Sequence, residues 1–413
     1  MAVLRAFRAI RPERKYAEKV ISLPYDVMSR EEAAGMAANN PYSFLHICRA
    51  EIDLPEQGNP YDREVYEKAE ANIREFLKKG VFFREEKPML YLYRQTMGMR
   101  KQTGIVGCVS VSEYENGIIK KHELTRVEKE LDRINHFDIC NANTEPVFLT
   151  YKDDLRIQKI TEDWMRNHPP EYDFMTEDGI GHVLWAIDDD EVIATLTSLF
   201  REIPSLYIAD GHHRSASAYK VGLKRREEHP GYNGQEEFNF FMAAVFPASE
   251  LKIFDYNRVV RDLRGLTAEE FISAVIQAGF TVTKMGKEAY EPEEKHIFSM
   301  YLEGNWYRLA AKPEVIPQET IAALDVSILQ DRVLSPILGI EDPRCDKRID
   351  FVGGIRGLSA LAQRCEEDMK VAFAVFPISL SELMEVADQG LVMPPKSTWF
   401  EPKLGSGLFL HEL

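Results

Sequence analysis

At 413 residues the chain exceeds one compact core, and roughly 150 residues per domain divides it into two or three. Its 51 basic and 67 acidic residues give a formal net charge of −16, which excludes a non-specific nucleic-acid coat, because displacing counterions needs a basic face. With 45% hydrophobic and 29% charged residues and no low-complexity tract, the composition is that of an ordinary folded domain protein.

No apolar run approaches the ~18 residues that cross a bilayer. Arg5, Arg8, Arg11 and Arg14 break the N-terminal stretch that a signal peptide would need to keep apolar. The expectation is a cytoplasmic protein with no membrane or nucleic-acid partner. A small anionic ligand stays open, since a few local cations can reverse the field inside a cleft. Cys48, Cys108, Cys140, Cys345 and Cys365 form no C-x-x-C pair and are odd in number, so they read as reduced, mostly buried thiols.

The first clear helix runs from Asn59 to Lys79, with Asn59 as N-cap, Pro60 in the first turn and Gly80 at the stop. Met89–Thr96 and Thr103–Ser112 read as a hairpin around Gly98. The segment Lys120–Asn143 is polar and dense in charge, without a strong amphipathic period over its second half. A helix over Asp190–Arg201 leads through Pro204 into a short strand, Leu206–Ala209, followed by Asp210, Gly211 and a helix from His212 to about Glu228. Strands follow near Phe238–Val245 and Leu251–Val260. Thr267, with Glu270 three residues on, caps a helix to Ala278. His296–Leu302 and Trp306–Ala311 form a hairpin around Glu303-Gly304-Asn305.

Beyond the hairpin come a helix over Ile328–Leu338, a strand over Ile349–Val352, a helix over Ser359–Met369, a strand over Val371–Phe376 and a helix over Ser381–Gln389. A loop over Met393–Gly407, marked by Pro and Gly, precedes a terminal strand. The class is α+β, mixed α/β, because hairpins argue against an all-parallel sheet. The expected domains are 1–262, carrying the chemistry, and a smaller α+β region, 263–413, whose 393–407 loop returns to the site.

Leu206-Tyr-Ile-Ala-Asp210-Gly-His-His-Arg-Ser215 is the sharpest local signal. A buried strand ends in Asp-Gly and a helix opens with two imidazoles, a guanidinium and a hydroxyl. The unpaired N–H groups and dipole of a helix start attract anions. Gly211 allows a positive φ, while Arg214 and Ser215 supply phosphate donors. Asp210 is placed to bind a metal or to orient a histidine. The bland alternative is a capped helix whose Asp accepts its own N–H groups.

A second constellation is His122-Glu-Leu-Thr-Arg126 with Lys129 and Arg133; on a helix the three cations would share a face. Its bland alternative is a solvated face neutralised by Glu128, Glu130 and Asp132. A third is Met393-Pro-Pro-Lys-Ser-Thr398, continuing to Lys403, which offers cations and hydroxyls on a stiff loop but lacks the glycine spacing of a Walker loop. Leu23-Pro-Tyr-Asp-Val27 is a stiffened turn presenting Tyr25 and Asp26.

Four of these segments, Pro24-Tyr-Asp-Val27, His122-Glu-x-Thr125, Ala209-Asp-Gly-His-His-Arg214 and Met393-Pro-Pro-Lys-Ser-Thr398, occur in the order seen in the domain of unknown function 1015 family, which the chain resembles over nearly its whole length. One departure is Asn257-Arg258, where that family usually carries His-Arg. The Asp-Gly-His-x-Arg core is also similar to the phosphate-binding turn of the ParB/sulfiredoxin-like fold, which includes free-serine kinases. His212 occupies the slot of sulfiredoxin's catalytic Cys, so sulfinate reduction is not expected.

The resemblance implies a ParB/sulfiredoxin-like core with a mixed sheet, and a kinase that phosphorylates free L-serine to O-phosphoserine. The implied donor is pyrophosphate or a nucleotide (ATP or ADP), with Mg2+. In that picture Glu123 is the base, and Asp210, His212 and His213 are catalytic, Asp210 also being the metal ligand. Gly211, Arg214, Ser215, Arg126, Arg133, Lys396, Ser397, Thr398 and Lys403 hold phosphate, and Asp26 with Tyr25 holds the substrate. The rival readings are a metal-dependent phosphohydrolase and a non-catalytic phosphometabolite-binding regulator. A homo-oligomer is compatible with either. A locally positive cleft in a negative protein is expected.

Overall fold

The computed structural model describes residues 1–55 and 57–413. By its contacts the chain divides into two units, Met1–Leu251 together with Pro402–Leu413, and Lys252–Glu401.

The first unit is built on an eight-stranded mixed sheet. In chain order its strands are β1 (Leu90–Met97), β2 (Arg100–Ser110), β3 (Ile119–Lys120), β4 (Val147–Tyr151), β5 (Tyr172–Met175), β6 (Ile180–Ile187), β7 (Leu206–Asp210) and β8 (Phe240–Pro247). Across the sheet they lie in the order β3-β7-β4-β8-β2-β1-β6-β5. The expected hairpin is β1–β2, closed where Met97 pairs with Arg100 and Gly98 takes φ +58°. The strand before the Asp-Gly turn, β7, is flanked on both sides, parallel to β3 and antiparallel to β4. Pairing on both sides, one strand in from the edge, holds Asp210 at the C-terminal end of β7. Gly104 in β2 is required by packing, because a Cβ there would lie 2.7 Å from the Phe246 ring.

Helix α1 (Arg63–Lys78) starts after Asp62 rather than at Asn59. Asn59 instead caps the preceding turn, its Oδ1 accepting the Tyr61 N–H at 3.1 Å. Helices α3 (Leu155–Asn167) and α4 (Asp190–Phe200) pack their apolar sides, among them Ile157, Leu196 and Phe200, into the core beside the sheet. Each such fully buried side chain contributes about 1.5–3 kcal/mol.

The polar segment that showed little periodicity is α2 (Val127–Cys140). Its inward face carries Glu130, Asp132, Arg133 and His136 as well as Phe137 and Cys140. A helix whose buried stripe is charged has no hydrophobic period to read, and its charges are tolerated because they are paired. Residues 402–413 return to this unit: the Gln95 amide donates to the Lys403 carbonyl at 2.7 Å, and Leu410 bridges Ile10.

The second unit is a six-stranded antiparallel sheet. Its strands are β9 (Tyr256–Val260), β10 (Phe280–Gly286), β11 (Ile297–Leu302), β12 (Asn305–Ala311), β13 (Ile349–Gly353) and β14 (Val371–Ala374), in the order β10-β12-β11-β14-β9-β13. Helices α6 (Ala268–Gln277), α7 (Gly357–Glu367) and α8 (Leu380–Asp388) belong to it, and the Thr267/Glu270 capping box is present. The β11–β12 turn is two residues, Glu303 and Gly304, both at positive φ, which matches the right-handed twist of the strands.

The expected helix over Ile328–Leu338 is instead a short α-helix, Asp325–Leu329, continued as a wider π turn over Gln330–Leu334. The division falls at 251/252 rather than 262/263, because β9 pairs with β13 and β14. The architecture is mixed α+β.

Cys48, Cys108 and Cys140 are buried, Cys365 is half-buried and Cys345 exposed, all as free thiols.

Candidate active site

Asp210 ends strand β7, Gly211 turns the chain, and helix α5 (His212–Glu228) begins at once. Gly211 sits at φ +92°, and a Cβ there would lie 3.0 Å from Arg214 Nε. The turn therefore requires glycine for its backbone angle and for the guanidinium that lies against it.

His212 stands at the centre of the cluster, nearly fully buried. Its Nδ1 is 3.6 Å from Glu123 Oε2, and its ring meets His122 edge-on at 4.5 Å between centroids. The adjacent pair His122-Glu123 thus diverges, with His122 buried and the Glu123 side chain 48% exposed, yet both touch the same imidazole. Burial, then the neighbouring His122, hold His212 well below the usual histidine range. Burial likewise pushes His122 down to about 4, against the opposing pull of Asp210. Both rings are neutral at neutral pH. Among the described residues His212 Nε2 is buried with no hydrogen-bond partner.

Asp210 is the anionic anchor. Burial alone would raise its carboxyl, but Lys403, Arg214 and His212 outweigh it and hold it below the usual range. Lys403 Nζ lies 3.7 Å and Arg214 Nη2 3.4 Å from Asp210 Oδ2.

Arg214 is 1% exposed and directs its Nη1 to the Pro146 carbonyl at 2.5 Å. The Ser215 hydroxyl donates back to the Gly211 carbonyl at 3.1 Å and is fully buried. The sequence reading assigns both side chains to phosphate; these hydrogen bonds instead brace the turn. Arg214 Nε is the one donor of that fork that is buried without a partner among the described residues.

His213 is half-buried and its Nε2 accepts the Arg126 N–H at 3.0 Å. Burial lowers it and the charge of Asp26 opposes that. The three cations expected on one face separate: the Arg126 side chain is exposed and pairs with Glu128, Lys129 is half-buried, and Arg133 is buried.

Arg133 lies 3.9 Å from the Tyr25 ring centroid, donates to Asp132 at 3.1 Å, and approaches Glu145 at 3.7 Å. Glu145 was not singled out by sequence, and nothing in Asn143-Thr144-Glu145-Pro146 marks it. It is buried, its carboxyl pushed up by that burial, and it accepts from the Tyr25 N–H at 3.2 Å and the Ser406 hydroxyl at 2.8 Å. Tyr25, Asp26 and Arg133 line a cleft of about 290 Å³.

Lys396, Ser397 and Thr398 belong to the second unit. There Lys396 Nζ lies 5.3 Å over the Tyr256 ring, and the Ser397 hydroxyl donates to the Pro394 carbonyl at 2.6 Å. Asn257, at the departure from the family pattern, receives the Val375 N–H at 3.1 Å and is a buried structural residue.

The expected surplus of positive charge is absent from this cluster: Arg133, Arg214 and Lys403 each face a carboxylate. A resident divalent cation also finds a poor fit, since Asp210 is already held by two cations. Among the described residues no group of three or more His, Cys, Asp or Glu side chains forms a metal site.

The family described as protein of unknown function (DUF1015) matches residues 4–327. The chain belongs to that family. No curated protein matches this DUF1015 member. Solved structures similar to it include a free serine kinase in complex with AMP, at 12% identity over 73% of this chain and 92% of that one, with a TM-score of 0.35. Another is a conserved hypothetical protein from Pyrococcus furiosus, at 14% identity over 73% and 95% of the two chains, with a TM-score of 0.35. A third is SbnI with C-terminal truncation from Staphylococcus aureus, at 12% identity over 74% and 87%, with a TM-score of 0.40. Likenesses this distant leave the function to the site itself.

Proposed function

We propose that this DUF1015 protein is a phosphotransferase acting on the hydroxyl of a small metabolite, with free L-serine the leading acceptor and pyrophosphate, ATP or ADP the donor. The observation that carries the reading is the junction of β7 and α5. There a helix start, a glycine turn, Lys403 and the unpartnered Arg214 Nε meet an imidazole flanked by Glu123.

Phosphoryl transfer asks chiefly for positioning and charge stabilisation, which a helix N-terminus with cations supplies. The acceptor oxygen forms a bond to phosphorus, the bond to the leaving phosphate or nucleotide breaks, and the hydroxyl proton passes to Glu123. Exposure of Glu123 lets it meet substrate, while His212 behind it fixes its orientation. Asp210 holds Lys403 and Arg214 in register beside the helix start. A divalent cation, on this reading, arrives with the donor, because Mg2+ is commonly held by one or two carboxylates and the substrate's own phosphates. Its role would be to offset donor charge.

The test is direct. Purified protein with Mg2+, L-serine and each of pyrophosphate, ATP and ADP is assayed for O-phosphoserine by mass spectrometry. Product with one donor supports the reading; no product with any of the three rejects serine as acceptor.

A further inference from the structure

The cleft beside the candidate site has a charge pattern of its own. Its inner ionic groups neutralise one another: Arg49 bonds Glu51 at 2.6 Å, and Arg133 bonds Asp132. Two lining charges remain, Asp26 and Lys129. Among the described residues neither has an ion-pair partner. Lys129 Nζ donates only to the neutral Tyr61 hydroxyl at 3.2 Å. A carboxylate and an ammonium left over in one small, otherwise neutral cavity are complementary to a ligand carrying one charge of each sign.

The walls between them are aromatic, with Tyr25, Tyr61 and Tyr66 among the lining, which suits the carbon skeleton of a small metabolite. The volume, about 290 Å³, lies at the low end of ligand pockets. Asp26 also connects the cleft to the candidate site. Its charge acts on both His213 and Arg214, in the first turn of α5.

We propose that this cleft is a binding site for a zwitterionic α-amino acid, with Asp26 receiving the ammonium and Lys129 the carboxylate. The proposal names the acceptor pocket for the phosphotransfer reading and in that sense rests on it, but binding can be measured without turnover. The ligand charges are used as a pair, so the half-ligands ethanolamine and glycerate each satisfy one end only.

The experiment is titration calorimetry on the full chain with L-serine, ethanolamine and D-glycerate, alone and with the unreactive donor analogues methylenediphosphonate and a non-hydrolysable ATP. The expected result is that L-serine binds at least about tenfold more tightly than either half-ligand, the scale of one lost ionic contact. D26N weakens serine about tenfold and leaves glycerate unchanged. K129M weakens serine about tenfold and leaves ethanolamine unchanged. Both side chains are at least partly exposed, so folding is expected to persist and is checked by thermal melting. Equal binding of serine and its half-ligands, serine affinity untouched in both variants, or no serine binding under any of these conditions would overturn the proposal. Phosphoserine formation with an unchanged serine KM in both variants would overturn the cleft assignment and keep the phosphotransferase. Charge-dependent serine binding with no phosphoserine would do the reverse.

Discussion

Lys403 Nζ lies 3.7 Å from Asp210 Oδ2, although the whole second unit intervenes between them in the chain. The contact is local to the first unit, because residues 402–413 return there and the Gln95 amide holds the Lys403 carbonyl. This return gives the Asp210 turn its lysine. Lys403→Met removes a charge that holds the Asp210 carboxyl down. The donor KM is expected to rise about tenfold, the scale of a hydrogen bond to a charged group, with the serine KM nearly unchanged. Steady-state kinetics separate the two. Because the folded pKa of Asp210 is depressed, its contribution to stability is full above about 3.9 and is lost as pH falls through the folded value. The variant should lose part of that contribution, seen as a smaller acid-induced fall in urea midpoint below about pH 4.

Gly211→Ala places a Cβ 3.0 Å from Arg214 Nε at a backbone φ of +92°. The left-handed angle alone costs about 1–2 kcal/mol, and the displaced guanidinium adds to it. Urea unfolding should show a loss of at least that size. A loss under about 0.5 kcal/mol, the scale of an ordinary surface substitution, would contradict the turn geometry.

Glu123→Gln keeps the shape of the side chain beside His212 and removes its proton acceptor. A drop in kcat of about 10²–10⁴-fold is the usual scale for losing a general base. The acidic limb of the pH–rate profile should disappear with it. An unchanged kcat would remove Glu123 from the mechanism while leaving the donor-binding turn in place.

Acid stability should fall earlier than carboxylates alone would dictate. His122 and His182 are held down to about 4, and His136 to about 3, in each case by burial first. Their folded values lie below the unfolded value of about 6.5, so the unfolded chain binds more protons in that window. Their stabilisation is full above about pH 6.5 and is lost as pH falls toward 4 and 3. Each adds a slope of up to about 1.4 kcal/mol per pH unit. Urea unfolding at pH 7.5, 6 and 5 should show a steady decline; a flat profile would mean these rings protonate freely in the fold.

The sequence carried the local geometry of the site because that geometry is made by neighbours in the chain. Leu206–Asp210, Gly211 and His212–Glu228 form strand, turn and helix where their residue types indicated. The capping box at Thr267 and the Gly98 and Gly304 turns were legible for the same reason. Helix α2 was not, since its buried face is charged, and a stripe of Glu130, Asp132, Arg133 and His136 looks like solvent-facing sequence until its partners are known.

Distant partners complete the pairing: Tyr66 for Asp132 and Tyr25 for Arg133, with Glu145 coming from just beyond the helix. The Arg, Lys and His residues of the motif segments, set against a net charge of −16, point to a locally positive cleft. Folding instead sets Arg133, Arg214 and Lys403 each against a carboxylate, leaving Asp26 and Lys129, among the described residues, as the charges of the cleft without an ion-pair partner. Composition counts charges, but which of them are neutralised depends on desolvation. A buried cation is costly unless its donors are met, and the tertiary structure decides which acceptors are near.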